Sequence, residues 1–350
     1  EQLGQSQLLA RVLAHQFIVH WSVRNFASAR ECTEQLQVLA ARTSDEITRF
    51  FAGFASGFFS IMSGDYVSAR DHFEQALKLT DDTCRVLIEG LDTAISFVNS
   101  PGFLGCAMWL LGYPDQARQQ QARVLDLLSG PLGTYARGVG IIIELYMSDF
   151  MRGNRRMLEA AERLTALARE SGMTGQLGIG MIWLGRATAV EGGVDRGIEA
   201  VAEGRDILLT LGELALLDVY EHCAVTAYLQ AGKTDEGLTI VERMIKECTG
   251  GGVRFFEADL HRLKGELLLA AGAPMTDAED SFRKAITIAQ RQQAKSWELR
   301  ATLSLARLLI KQGRHDEARA TLAEIYNWFT EGFDTADLKD AITLLDELSG

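Results

Sequence analysis

Proline is scarce in this chain, with 4 residues in 350, and long runs of β-branched residues are scarce as well. Ala, Leu, Glu, Arg and Gln, which favour helices, are abundant instead. Proline disrupts helix interiors, and β-branched residues favour strands. Because both are scarce, the sequence contains little that would oppose helices or promote strands. The composition predicts an all-α fold with almost no strand.

Closely spaced cysteines are missing. The five that occur lie far apart and form no CxxC pair: Cys32, Cys84, Cys106, Cys223 and Cys248. An odd number at such spacing argues against a disulfide framework and against a cysteine-based zinc site. We expect them to be small buried side chains in a protein of the reducing cytoplasm.

Long hydrophobic runs and excess positive charge are also missing. The most apolar stretches, such as residues 50–62 and 141–147, are much shorter than the roughly 20 residues of a membrane span. Lys and Arg number 35 against 47 Asp and Glu, a net charge of −12 that repels nucleic acid. The chain begins at Glu1 without a basic leader. We therefore expect a cytoplasmic segment of a longer protein, with neither nucleic acid nor membrane as a partner.

Motifs for catalysis are incomplete. Gly232-Lys233-Thr234 resembles the end of a phosphate-binding P-loop, but Ala227 stands where that loop requires its first glycine. The glycines between Gly175 and Gly180 have the wrong spacing for a dinucleotide fingerprint, and the six histidines include no i, i+4 pair for a metal. We expect this chain to be no enzyme and to hold no metal and no cofactor.

The chain does contain a repeated helical hairpin. It is clearest at Gly64–Leu77, where Gly64 suits a tight turn and Ala69 and Ala76 allow two helices to approach closely around Phe73. This order of glycine, aromatic and alanine residues resembles the second helix of a tetratricopeptide repeat. The resemblance implies a solenoid of antiparallel helix pairs wound into a right-handed superhelix.

The same turn recurs at residues 24, 64, 112, 153, 193, 232, 272 and 313, at intervals of 40, 48, 41, 40, 39, 40 and 41. A period near 40 overlaps the range of HEAT and armadillo units, but the turn pattern favours the tetratricopeptide type. It predicts eight hairpins and a capping helix in a single domain, 1–350. Their expected bounds are 5–43, 44–80, 91–129, 131–171, 174–211, 213–249, 253–293 and 294–331, with the cap at 334–348.

Two further expectations follow from the period. The one long interval contains Pro101, which we expect to break a helix and leave a loop or short helix at residues 81–102. Because each hairpin hides its apolar face only by stacking on its neighbours, we expect an elongated, curved body.

Ionisable and aromatic residues within the apolar first helices are the candidate binding residues, because first helices line the concave surface of such superhelices. The candidates for a ligand groove are Glu144, Tyr146, Trp183, Arg186, Tyr220, Glu221, His222 and Arg254. Alternatively, the charged ones pair with one another between adjacent repeats, since a lone buried charge is costly.

A more specific resemblance is carried by residues 258–269, 278–285, 291–301 and 328–339, and by residues 108–117 near the middle. These segments look like the closing region of large bacterial signalling ATPases. Such proteins join an adenylate/guanylate cyclase or DNA-binding domain to an AAA/STAND nucleotide-binding domain and a tetratricopeptide tail. The resemblance implies a regulatory tail and transfers no catalytic residue, because the cyclase and Walker motifs have no counterpart here.

Two functions fit these observations. The first is a protein interaction and sensor module that binds a protein surface or peptide, including its own upstream nucleotide-binding domain. The second is a superhelix that binds a small-molecule effector and controls the attached domain. Leu3, Leu8 and Leu9 at the open end suit either a homo-oligomer contact or packing against the upstream domain.

Overall fold

The computed structural model describes residues 2–89, 91–214 and 217–349, and every regular element in these ranges is an α-helix. The expected all-α repeat fold is therefore confirmed. Sixteen helices form eight consecutive pairs, α5 is an additional short helix, and α18 follows the last pair. The bounds are α1 Gln2–Ser22, α2 Phe26–Ala41, α3 Glu46–Met62, α4 Tyr66–Ala76, α5 Asp81–Glu89, α6 Leu91–Leu110, α7 Pro114–Ser129, α8 Thr134–Phe150, α9 Asn154–Ser171, α10 Thr174–Val190, α11 Val194–Leu211, α12 Leu217–Gln230, α13 Thr234–Thr249, α14 Glu257–Ala270, α15 Met275–Arg291, α16 Lys295–Lys311, α17 His315–Tyr326 and α18 Ala336–Glu347.

A residue with positive φ follows the first helix of every pair. These residues are Arg24, Gly64, Gly112, Arg152, Gly192, Gly232, Gly272 and Gly313. The expected turn positions 153 and 193 are wrong by one residue, because Gly153 and Gly193 have φ of −84° and −81° and follow the left-handed residue. The corrected intervals are 40, 48, 40, 40, 40, 40 and 41, so the period is more regular than the glycines alone indicated.

Close packing within a pair depends on small residues, as the second pair shows. Asp65 caps α4 by accepting a hydrogen bond from the Ser68 backbone N–H at 3.1 Å. An added Cβ on Gly53 would lie 2.8 Å from the Cβ of Ala76, and one on Gly57 would lie 2.8 Å from the Phe73 ring. The glycine face of α3 therefore packs against α4, which turns the phenylalanines of α3 away from that interface.

The helix break expected at Pro101 is wrong. Helix α6 runs through this residue from Leu91 to Leu110, and only α5 forms the short additional helix of the long interval. Ser100 donates its hydroxyl to the Ser96 carbonyl at 2.8 Å. Residues 100–111 are all buried, and burial of side chains such as Phe103 and Leu104 contributes about 1.5–3 kcal/mol each, against about 3 kcal/mol for an interior proline. Packing therefore outweighs the local preference.

The superhelix closes on itself. The turns of the first four pairs contact the chain from residue 218 onward, and we call these contacts the closing seam. Arg24 pairs with Asp218 at 2.8 Å, and the Arg254 backbone N–H donates to the Met62 carbonyl at 2.7 Å. Further along, Arg118 pairs with Asp334 at 2.8 Å. Each contact joins residues about 190 or more positions apart, so one superhelical turn takes about five pairs and the second turn packs against the first.

The expectation of an elongated body is therefore wrong. The accessible surface is 15033 Å² for 38.5 kDa, close to the roughly 14,000 Å² typical of a compact monomer of this mass. The pairs still stack in chain order, but the curvature is tight enough for first helices on opposite sides to face one another across an interior. None of the helices in the described ranges combines the length and apolarity needed to cross a membrane.

Candidate functional site

First helices surround a cavity of about 760 Å³ in the interior of the superhelix. Its wall comes from α1, α3, α6, α8, α10 and α12 and from the end of α11. Eight aromatic side chains line it, and we call it the aromatic cavity: Phe17, Trp21, Phe54, Phe58, Phe103, Tyr135, Tyr146 and Tyr220. Glu213, at the rim, is the one charged residue among the lining residues that the structure describes.

The aromatic rings of this wall contact one another. Phe58 packs edge-on against Trp21 at 5.1 Å between ring centroids and against Phe103 at 5.0 Å. Tyr146 continues the network, 6.4 Å from Phe103 and 5.6 Å from Trp183. Such edge-to-face contacts fix ring orientations, so the wall is a rigid apolar surface.

Two buried polar atoms on residues that line this cavity have no hydrogen-bond partner in the described part of the chain. They are the hydroxyl of Tyr146 and Oε1 of Gln176, whose Nε2 donates to the Tyr135 carbonyl at 3.1 Å. Burial raises the pKa of Tyr146 well above its ordinary value, and burial, assisted by Glu213, does the same for Tyr220. Both phenols therefore stay neutral and can donate hydrogen bonds. Gln176 Oε1 lies against Gly138 of α8, so the Tyr146 hydroxyl is the unpaired polar group that remains for a ligand.

A second cavity, of about 500 Å³, lies beyond the carboxyl ends of α8, α10 and α12. It is lined by five arginines and four carboxylates, and we call it the arginine cavity: Arg152, Arg186, Arg262, Arg300, Arg307, Asp149, Glu266, Asp337 and Asp340. The two cavities share no lining residue. The interior thus has an apolar compartment and a charged one.

The structure brings together three of the eight candidate groove residues. Tyr146 and Tyr220 line the aromatic cavity, and Trp183 supports Tyr146 from behind. Arg186 lines the arginine cavity, where it pairs with Asp149 on the preceding pair. The role of these residues in binding stays a prediction.

The other four candidates are held by local partners. Glu144 on α8 pairs with Arg163 on α9 at 2.6 Å, and Glu221 pairs with Arg243. Burial raises the pKa of Glu221, which Arg243 opposes. Both partners lie within the same helix pair, so these contacts compensate the buried charges but are not the pairing between adjacent repeats that the alternative interpretation predicts.

His222 and Arg254 lie between the sixth and seventh pairs. His222 stacks on Phe256 at 4.1 Å, and its Nε2 lies 2.8 Å from Asp259. Burial alone would raise the pKa of Asp259, but Arg262 and His222 outweigh it and hold this pKa well below the usual range. Arg254 belongs to the closing seam, and its guanidinium pairs with Glu257 at 2.8 Å.

Most of the aromatic wall was missed from the sequence. Phe17, Trp21, Phe54, Phe58 and Phe103 were not among the candidates. The phenylalanine-rich run at residues 50–62 indicates Phe54 and Phe58, because it is apolar on more faces of α3 than one neighbouring helix can cover.

Comparison with known proteins agrees with this fold. The family described as tetratricopeptide repeat matches residues 299–324, within α16 and α17. An uncharacterised protein of Rhizobium meliloti (strain 1021) is 24% identical over 213 residues, which are 61% of this chain and 21% of that protein. The chain therefore matches about a fifth of this relative's length.

Two solved structures share the architecture. A Rap protein complexed with competence and sporulation factor superposes with a TM-score of 0.55 at 11% identity, covering 85% of this chain and 80% of that one. NprR in complex with its cognate peptide NprX gives a TM-score of 0.52 at 12% identity, covering 84% of each chain. At such low identity the likeness concerns the fold alone.

Proposed function

We propose that this chain is a protein-interaction and regulatory sensor module that binds apolar side chains of a peptide or protein segment in the aromatic cavity. The observation that carries the proposal is the cavity itself, with eight aromatic side chains around about 760 Å³. Ligand sites in proteins typically occupy 300–1,000 Å³ and combine an apolar wall with a few polar groups. Tyr146 supplies such a polar group here.

Burial of apolar surface supplies the affinity in this proposal. Each Å² removed from water contributes about 25 cal/mol, and rigid aromatic walls lose little conformational entropy when a ligand binds. A backbone carbonyl of a peptide can accept a hydrogen bond from the Tyr146 hydroxyl. This buried hydroxyl would then gain the partner that it lacks among the described residues.

The site is suited to regulation because its wall spans the closing seam. The wall includes α1 and α3 from one side of the seam and α12 from the other. A ligand that binds the closed superhelix better than an open one shifts the population toward closure. An attached domain that contacts either end of the array would sense that shift.

A signalling ATPase is the parent protein that we propose. The Rhizobium meliloti relative is about five times as long as the region it shares with this chain, which leaves room for further domains. The proposed partner in the cytoplasm is therefore the chain's own upstream nucleotide-binding domain. The NprR structure supports a peptide as the ligand class, since that protein of the same architecture binds its cognate peptide NprX.

The exposed face of α1 offers a docking surface for that domain or for a second copy. Leu8 and Val19 on this helix are 65% and 58% exposed, and Val23 directly after it is 61% exposed, whereas the side chain of Leu3 lies outside the described residues. Light scattering of the isolated chain separates the two. A mass that doubles with concentration identifies the homo-oligomer.

A small-molecule effector is the second candidate, because the cavity volume also suits a compact apolar molecule. A melting-temperature screen tests it directly, since a ligand of the folded state stabilises by mass action. A stabilising compound whose effect disappears when Val139→Trp fills the cavity would favour the effector over a peptide.

The peptide proposal is tested by selecting peptides from a random library on the purified chain. We expect Tyr146→Phe to weaken the selected peptides about fivefold to tenfold without loss of stability, since only an unpaired hydroxyl is removed. Val139→Trp, which fills the cavity, should abolish binding. The control is Tyr326→Phe on α17, outside the cavity lining. Selected peptides that bind the Val139→Trp variant as tightly as the parent would contradict the site.

A further inference from the structure

The arginine cavity is unlike the remainder of this acidic chain. Its five arginines come from the turn after α8 and from α10, α14 and α16, so four elements converge there. The lining holds four carboxylates, and Asp259 behind the wall pairs with Arg262 at 2.5 Å. The site is therefore close to neutral in a protein of net charge −12. A ligand would be recognised through directed N–H donors rather than through net charge.

The carboxylates fix the arginines but occupy only part of their donors. Arg307 contacts Asp340 through Nη2 at 3.2 Å, and Arg152 uses Nη1 for both Asp337, at 3.4 Å, and Asp340, at 2.8 Å. Arg262 uses Nε for Asp259. Each guanidinium carries five N–H donors in a planar fork. Within the described ranges several donors of these three side chains remain available to a ligand.

Two further donors at this cavity have no hydrogen-bond partner among the described residues, namely the Ser148 hydroxyl and the Arg186 Nε–H. Oδ1 of Asn154 is also unpaired, but it is an acceptor and does not contribute to binding an anion. Ser148 is 2% exposed, so its hydroxyl is a buried donor, and Arg186 is fixed by Asp149 on its other side. Buried donors without partners are costly in a folded protein, and a bound anion would satisfy both of these donors.

We propose that the arginine cavity is a second binding site, specific for a small anion that carries a carboxylate or phosphate group. The planar fork of arginine matches the oxygens of both groups, and the Ser148 hydroxyl and Arg186 Nε–H add donors from the α8 and α10 side. The volume of about 500 Å³ accommodates such a molecule. This site is separate from the aromatic cavity and does not depend on its occupant.

Binding here would act on the closing seam. Asp337 and Asp340 belong to α18, and their partners Arg152, Arg300 and Arg307 hold that helix against the fourth and eighth pairs. An anion that shares these guanidiniums bridges α8, α10, α14 and α16. It therefore links the two sides of the seam through a site that the aromatic ligand does not touch.

The test is calorimetric titration of the full chain with inorganic phosphate and with citrate, at constant ionic strength set with NaCl to remove nonspecific screening. We expect at least one of the two anions to bind. Arg307→Gln and Ser148→Ala should each weaken it at least about fivefold with unchanged melting temperature. Phosphate alone indicates a phosphate ligand and citrate alone a carboxylate ligand. The Val139→Trp variant should bind the anion normally, which separates this site from the peptide proposal.

The matched control is Arg319→Gln. Its side chain is 52% exposed and pairs with Asp316 within one helix, whereas that of Arg307 is 53% exposed. The proposal is overturned when neither anion binds the parent chain at 10 mM, or when Arg319→Gln weakens binding as much as Arg307→Gln does.

Discussion

The backbone N–H of Arg254 donates a hydrogen bond to the carbonyl oxygen of Met62 at 2.7 Å, across 192 positions of the chain. Met62 ends the third helix, and Arg254 precedes α14 in the seventh pair. This contact is made by main-chain groups, which every substitution at Arg254 except proline retains. The neighbouring side chains then determine how strongly the closing seam resists opening.

The hydroxyl of Tyr66 makes the adjacent seam contact. It donates to the Phe255 carbonyl at 2.8 Å, and both residues are buried. We predict that Tyr66→Phe lowers the free energy of unfolding by about 1–2 kcal/mol, because it leaves a buried carbonyl without its donor. Urea denaturation followed by circular dichroism measures this. Tyr135→Phe, at a side chain 49% exposed, is the control and should change little. Equal stability of both variants would show that the seam is open in solution.

Substitution of two glycines with similar φ distinguishes the cost of backbone strain from the cost of disturbed packing at the closing seam. Gly112 has φ of 91° and Gly272 has φ of 75°. An added Cβ at Gly112 would lie 2.5 Å from the Trp328 ring, whereas nothing lies within 4 Å of one at Gly272. We predict a cost of about 1–2 kcal/mol for Gly272→Ala, from the left-handed backbone alone. Gly112→Ala should cost about 1–3 kcal/mol more, because Trp328 must move. Equal urea midpoints would contradict the packing of Trp328 on this turn.

The period of the fold could be predicted from the sequence, because the residues within each turn determine where that turn forms. Gly64, Gly232 and Gly272 mark their own turns, and stacking then follows from the apolar faces. The closing seam was not readable, because the partners of Arg24 and Arg118 lie more than 190 positions away and no local sequence pattern indicates them. Local preference also misled at Pro101, where burial on every side outweighs the missing N–H.

The candidate site was found in part for the same reason. Tyr146 and Tyr220 stand out as polar aromatics in apolar helices, and that contrast needs no knowledge of tertiary structure. Phe54 and Phe58 look like ordinary core residues in the sequence. They become site residues only because the glycine face of α3 takes the contact with α4 and leaves them facing the interior.

A pH-dependent term in stability is predicted at His261. Burial lowers its pKa to about 4, with Lys284 and Lys264 acting in the same direction and Glu257 opposing them. The unfolded value is about 6.5, so the folded state favours the neutral ring. This contribution is fully present above pH 6.5 and is lost as the pH falls toward 4, by on the order of 1–2 kcal/mol for a ring that is partly exposed. His261→Gln should flatten urea midpoints between pH 6.5 and 4, and His315→Gln, at an exposed ring, should not.

The closed shape of the superhelix can be tested directly by measuring the radius of gyration. A compact chain of 350 residues has a radius of gyration of about 20 Å. An open array of eight pairs, each adding about 10 Å along the axis, would exceed about 25 Å. Small-angle X-ray scattering in 0.15 M salt should therefore give about 20 Å, with a single symmetric peak in the distance distribution.

Raising the salt to 1 M screens the seam ion pairs Arg24–Asp218 and Arg118–Asp334 but leaves the Met62–Arg254 hydrogen bond and the packing of Trp328. The radius should consequently stay below about 22 Å at high salt. A value near 25 Å under both conditions would mean that successive turns of the superhelix do not contact each other, and both interior cavities would then lack one wall.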